Sequence, residues 1–241
     1  MHDAGFLKAQ PIAHRGYHDM NKTIWENTLS AATRAVEAGF AIECDVQYSA
    51  DSVPVVFHDD DMERLCGVKG DIRAKTAGEL GLVHVGGTSD KVPTLRQLLR
   101  LVKGRVPVIV ELKGRAGDDE GFAASVLESI EDYRGPIGLM SFDHWLLADL
   151  KGMAPPCPIG LTAEGNTEQA FSSHAEAMAL GLDFVSYHYG HLPNPFVTQT
   201  RDNAIPVITW TVRDEAAMAH TFRHADQMTF EGFDPRTIAT V

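Results

Sequence analysis

Short runs of β-branched and apolar residues alternate with longer amphipathic runs along nearly the whole chain, and this rhythm restricts the fold more than any other feature. Strand-like runs fall at Pro11 to His14, Phe40 to Val46, Val106 to Leu112, Ile137 to Ser141, Ile159 to Thr162, Phe184 to Tyr187, Val207 to Thr211 and Gln227 to Phe230. Helical runs lie between them, at Glu26 to Ala38, Leu95 to Val102, Asp119 to Tyr133, His144 to Lys151, Glu168 to Ala179, Pro195 to Arg201 and Glu215 to Phe222. The first helix shows the logic: Thr28, Ala32 and Val36 recur every four residues, and Gly39 supplies the left-handed stop. Eight parallel strands in 241 residues predict an α/β protein of the (β/α)8 TIM-barrel type, which commonly spans about 250 residues. A doubly wound sheet would carry a GxGxxG turn after a strand, and the sequence has none.

One run breaks the rhythm. Val53 to Phe57 follows the second strand after a link of residues 47–52, far shorter than the dozen or so residues a parallel crossover needs. It is therefore expected to turn back as an antiparallel β-hairpin arm. From about Asp59 to Val92 a polar, Gly-rich stretch with one short helix, Thr76 to Leu80, reads as an excursion from the barrel. No repeat, linker or low-complexity segment divides the chain, so residues 1–241 are expected to form a single domain.

Composition then limits the partners. A net charge of −12 disfavours binding to a nucleic-acid backbone and adsorption to anionic membranes, both of which need a basic footprint. A small anionic substrate would need a local cation to invert the field at its site. Cys44, Cys66 and Cys157 are odd in number and lack CxxC spacing, so neither a disulfide framework nor a thiolate zinc site is expected. The absence of a leader-like or membrane-spanning apolar run predicts a cytoplasmic protein without membrane insertion. Assembly into a homo-oligomer is left open.

Active sites of (β/α)8 barrels sit at the C-terminal strand ends, and there this chain gathers its polar residues: His14-Arg15-Gly16, Glu43-x-Asp45, Glu111-x-Lys113, Ser141-Phe142, Glu164, His188, Trp210 and Glu231. Glu43 and Asp45, two apart on a strand, share one face. Two carboxylates there repel one another unless a cation neutralises them, and Glu111 offers a third on the next parallel strand. An all-oxygen set suits one divalent cation, Mg²⁺ or Ca²⁺. The same residues could instead cap loops or pair with Arg15 and Lys113. An imidazole can give or take a proton near neutral pH, which suits His14 and His58 to proton transfer, although a histidine at a strand end often serves only a structural hydrogen bond. Asp59 could orient the His58 ring. Arg15 offers a planar fork to phosphate oxygens, while Lys113 offers a point charge or a salt bridge to Glu111. Trp210 could wall a small alcohol or merely pack. His84, His174 and His224 read as solvated surface positions, and His188 is undecided.

The segments IAHRGYHD (12–19), ENTLSAATRAVEAGF (26–40), IECDVQYSADSVPVVFHDD (42–60), IVELK (109–113), MSF (140–142) and ITWTV (208–212) resemble, in order and over nearly the whole chain, the glycerophosphodiester phosphodiesterase family. Its short excursion is similar to that of compact bacterial members. The resemblance implies a TIM barrel that hydrolyses glycerophosphodiesters to glycerol phosphate and an alcohol, with a divalent metal. By that similarity His14 and His58 would be the acid–base pair, Glu43, Asp45 and Glu111 the metal ligands, and Arg15 and Lys113 the phosphate holders. One departure stands out: where the family commonly reads DGIxTDxP, this chain has DQMTFEGFDP (226–235), with Glu231 near the usual aspartate. Two other readings remain. A related toxin family with HRG and ExD features suggests phospholipase D-like action on lysophospholipid or sphingolipid head groups, against which stand the missing leader, cysteine pairs and apolar docking run. A catalytically silent phosphate-binding barrel is opposed by the presence of both histidines and all three carboxylates.

Overall fold

The computed structural model describes residues 2–238. Its strands, in chain order, are β1 (Ile12–Ala13), β2 (Ala41–Tyr48), β3 (Pro54–Val56), β4 (Val108–Leu112), β5 (Ile137–Ser141), β6 (Ile159–Ala163), β7 (Phe184–His188), β8 (Val207–Val212) and β9 (Gln227–Phe230). All but β3 run parallel and close into an eight-stranded barrel, the ring being completed where Ala13 pairs with both Ile42 and Phe230. The short β1 leaves the upper edge of β2 free. There β3 pairs antiparallel, with Val46 opposite Val56, the hairpin arm that the short link demands.

Seven helices lie between successive barrel strands: α1 (Leu29–Ala38), then α4 (Leu95–Val102), α5 (Phe122–Ile130), α6 (His144–Gly152), α7 (Glu168–Met178), α8 (Pro195–Asp202) and α9 (Glu215–His224). Two one-turn helices, α2 (Glu63–Cys66) and α3 (Ala77–Leu80), belong to the excursion. The strand pattern dictates what faces where, because side chains alternate across a strand. Ile42, Cys44, Val46, Val108, Val110 and Leu112 point outward and are buried against Leu95, Leu98 and Leu99 of α4 and their neighbours. A buried leucine of this kind contributes about 1.5–3 kcal/mol.

The opposite parity fills the barrel. Ile12, Ala41, Ile109, Met140, Phe184 and Ile208 form its apolar floor, plugged from below by Ala4 and Leu7. Phe184 fits only because Gly160 has no side chain, since a Cβ there would lie 2.3 Å from its ring. One step up each strand the inward residues become polar or aromatic: His14, Glu43, Glu111, Phe142, Ser186 and Trp210. The barrel is thus sealed below and chemically equipped above.

The excursion carries a core of its own. Met62, Leu65, Ile72, Leu80, Val85 and Val92 pack on Val55 and Phe57 of the hairpin arm. The stretch is therefore a folded plate over one side of the barrel mouth. The helix expected from Asp119 begins at Phe122 instead, because Asp119 is buried and bonded to Arg73 and to the Arg115 amide. His174, expected in solvent, is buried on the inner face of α7. Its Nε2 pairs with the Glu164 carbonyl at 3.0 Å and its ring meets Tyr187 edge-on. Glu164 itself is exposed, just past the end of β6. Among the described residues no helix is long and apolar enough to cross a membrane, and Cys44, Cys66 and Cys157 are free thiols.

Candidate active site

His14, Arg15, Glu43, Asp45, His58, Glu111, Lys113 and Trp210 all line one cavity of about 260 Å³ at the C-terminal end of the barrel. The HRG segment turns there immediately after β1. Arg15 (φ 54°) and Asn27 (φ 55°) are left-handed, unusual for residues other than glycine, and such backbone is retained where surroundings over-determine it. Gly16 (φ 81°) is held by hydrogen bonds from its amide to the Ala13 and Glu43 carbonyls, and a Cβ on it would sit 2.8 Å from that of Ala31. The Arg15 amide donates to Glu43 Oε2 at 2.9 Å, which clamps the turn onto β2.

These contacts explain why α1 starts at Leu29 and not at the expected Glu26. Thr28 is the N-cap, its hydroxyl accepting from the Ala31 amide. Glu26 and Asn27 are drawn into the site instead. The Asn27 side-chain amide donates to Asp45 Oδ2 at 2.9 Å, and Glu26 Oε1 lies 2.6 Å from an Arg15 guanidinium nitrogen.

Glu43, Asp45 and Glu111 are buried, and each presents an oxygen within 4.8 Å of the others. Arg15 Nε and Lys113 Nζ each lie 3.3 Å from Asp45, and Lys113 Nζ lies 2.6 Å from Glu111. Two cations thus face three carboxylates. Burial, with Asp45 and Glu111 adding repulsion, pushes Glu43 well above the usual carboxylate range, and burial also raises Glu111. Burial opposes ionisation of Asp45 as well, but Lys113 and Arg15 prevail and hold it below its ordinary value. For Lys113, desolvation is outweighed by Asp45 and Glu111, and its pKa is raised. With all three carboxylates ionised the cluster would carry a net charge of about −1, and an oxygen-liganded divalent cation would turn it to about +1, a sign that suits an anionic diester.

Each of the two histidines has its Nδ1 against a carboxylate. His14 Nδ1 lies 2.6 Å from Glu231 Oε2, while its Nε2 lies 3.9 Å from Glu43. His58 Nδ1 lies 2.7 Å from Asp59 Oδ1. Such contacts select the tautomer with a proton on Nδ1 and leave Nε2 available. Burial lowers His14 below its ordinary value, against the pull of Glu231. Burial also opposes ionisation of Glu231, but the His14 ring, His18 and Arg213 keep it well below the carboxylate range.

The other side of the cavity is aromatic. Trp210 meets Phe142 edge-on at 5.5 Å and His188 at 5.0 Å. The sequence marked Glu231 by position alone; its contacts with His14 and with Arg213 Nε at 2.7 Å depend on β9 closing the ring beside β1. Glu26 and Asn27 open the ENTL segment, but nothing local gave them a role at the site, and Arg64 is a single basic residue in a polar stretch.

The sequence profile of the glycerophosphoryl diester phosphodiesterase family matches residues 14–232, from the first site histidine to just past Glu231. The chain belongs to this family. A glycerophosphodiester phosphodiesterase from Caldanaerobacter subterraneus subsp. tengcongensis is 28% identical over 218 residues, covering 86% of each chain. A phosphodiesterase from Oleispira antarctica, solved in complex with the product sn-glycerol-3-phosphate, superposes with a TM-score of 0.80 at 25% identity, covering 92% of each chain. The glycerophosphodiester phosphodiesterase of Thermotoga maritima gives 0.75 at 26% identity, covering 95% of this chain and 96% of its own. Membership makes the chain an enzyme of the phosphoric diester hydrolase class, acting on glycerophosphodiesters.

Proposed function

We propose that this chain hydrolyses glycerophosphodiesters to a glycerol phosphate and an alcohol, using one divalent cation and proton transfer by His14 and His58. The observation that carries the proposal is the meeting, in one cavity, of three buried carboxylates with two histidines each held at Nδ1 by a further carboxylate. Glu43, Asp45 and Glu111 would hold the cation, Mg²⁺ or Ca²⁺ by their all-oxygen character. When bound, it would neutralise charge on the phosphoryl oxygens and offset the repulsion that burial creates among the three. Arg15 and Lys113 would bind the same oxygens, the first as a fork and the second as a point charge.

His14, whose pKa burial lowers, suits the proton acceptor. Its Nε2 would take a proton from the nucleophile, either water or the substrate's own glycerol hydroxyl. His58, on the partly open hairpin side, would donate a proton to the alcohol oxygen as its bond to phosphorus breaks. Trp210 and Phe142 would form the wall for that alcohol. The relative from Oleispira antarctica was solved with sn-glycerol-3-phosphate, which supports a glycerol phosphate as the product here.

The test is a matrix of substrates against cations. Glycerophosphocholine and glycerophosphoethanolamine are expected to be hydrolysed with Mg²⁺ or Ca²⁺ and spared with EDTA. Preference for lysophosphatidylcholine would favour phospholipase D-like action, no turnover under any condition would favour a silent barrel, and EDTA-resistant turnover would remove the cation from the proposal.

A further inference from the structure

Arg64 lies outside every motif that marks the site. It sits on α2 in the excursion, a one-turn helix fixed by the buried Leu65 in the plate's own core. Its guanidinium nevertheless reaches the site in two directions. Nε and Nη2 grip Asp59 side-on, at 2.6 Å to Oδ2 and 2.8 Å to Oδ1. Nη1 and Nη2 grip Glu26 end-on, at 3.1 Å to Oε2 and 2.8 Å to Oε1.

Each of those carboxylates has a second client. Asp59 Oδ1 also meets His58 Nδ1 at 2.7 Å, and Glu26 Oε1 also meets Arg15 Nη1 at 2.6 Å. One continuous chain therefore runs from His58 through Asp59, Arg64 and Glu26 to Arg15. We infer that Arg64 is a positioning residue for both halves of the reaction, setting the His58 ring through Asp59 and the Arg15 fork through Glu26. The inference rests on the roles proposed for His58 and Arg15.

Geometry argues that this is more than a surface ion pair. Exposed pairs tolerate many arrangements and stabilise by little, whereas Arg64 makes four directed contacts to two carboxylates. Glu26 is buried, and three donor groups share it: Arg15, Arg64 and the Asn21 amide at 2.5 Å. A lysine has no planar fork and could serve one carboxylate or the other, but not both in this geometry. The arrangement also gives the excursion a catalytic purpose, because its folded plate fixes one end of the bridge while the barrel fixes the other.

The test compares kcat and KM for Arg64→Ala, Arg64→Lys, Asp59→Asn, Glu26→Gln and the Arg64→Ala/Asp59→Asn double variant, with melting curves for each. Arg64→Ala is expected to lower kcat about 10- to 100-fold and raise KM several-fold. Asp59→Asn should reproduce mainly the kcat loss and Glu26→Gln mainly the KM rise. In kcat the double variant should be no worse than Arg64→Ala alone, because both break the same arm. Arg64→Lys should recover one parameter and not the other. Should Arg64→Ala melt below the assay temperature, Arg64→Lys carries the comparison. Wild-type kcat and KM in the arginine variants, or losses that multiply independently in the double variant, would overturn the inference. His58→Ala is run alongside: if it still turns over, the two-histidine proposal fails, whereas an inactive His58→Ala beside a fully active Arg64→Ala removes only the bridge.

Discussion

Around the rim, the arc from β9 through β1 and β2 to β4 presents Glu231, His14, Arg15, Glu43, Asp45, Glu111 and Lys113, each facing at least one basic or acidic partner. The arc from β5 to β8 presents Phe142, His188 and Trp210 in edge-on contact, with few directed bonds. Among the described residues, the buried Ser186 hydroxyl and His188 Nδ1 on this arc have no hydrogen-bond partner. The first arc is built from directed contacts among crowded charges, the preorganisation needed to stabilise a developing charge without reorganising. The second is a mainly aromatic surface with a few polar groups, suited to accommodating the variable part of a substrate. Under the proposed function the phosphoryl chemistry falls on one arc and alcohol recognition on the other, and five substitutions test that division.

The largest effect belongs to the histidines. His14→Ala and His58→Ala should each reduce turnover by roughly 10²–10⁴-fold with the fold retained by circular dichroism. Near-normal hydrolysis by either variant would break the division at its chemical centre.

Glu43→Gln should also abolish cation-dependent turnover, yet stabilise the cation-free protein. Because the folded-state pKa of Glu43 is raised, its contribution to stability is full below its ordinary value of 4.5 and is lost as pH rises through the raised one. A permanently neutral glutamine escapes that loss. With EDTA at neutral pH the variant should melt above the parent, by about 2–4 °C for each kcal/mol relieved, the gap closing below the ordinary value. A lower melting temperature at neutral pH would show that the arc is not under electrostatic strain.

Glu231→Ala should lower kcat up to about 10²-fold while leaving KM nearly unchanged, since it frees the His14 ring without touching substrate. An equal change in KM would place Glu231 among the binding groups. The smallest effect belongs to Trp210→Ala, with KM rising about fivefold for bulky alcohols and little for small ones. A uniform rise for every alcohol would erase the distinction between the arcs.

Much of this was legible from one dimension. The β/α rhythm, the short link before β3 and the two-residue spacings of Glu43, Asp45, Glu111 and Lys113 are local facts, and strand parity converts them directly into a shared face. Glu26 was read as the start of the first helix, yet the positive φ of Asn27 and the Thr28 cap delay that start to Leu29. His174 was read as solvated because polar neighbours surround it in sequence, whereas the helical period turns it toward β6 and β7.

What the sequence determined by itself was the barrel and the identity of its polar rim, since periodicity and motif spacing are properties of neighbouring residues. What only the tertiary structure decided was which rim residues act on one another. Glu231 reaches His14 across 217 positions because the barrel closes. Arg64 reaches Glu26 across 38 because the excursion folds back over the mouth. Contacts of that span depend on ring closure and on packing of a separate small core, and no local pattern encodes either.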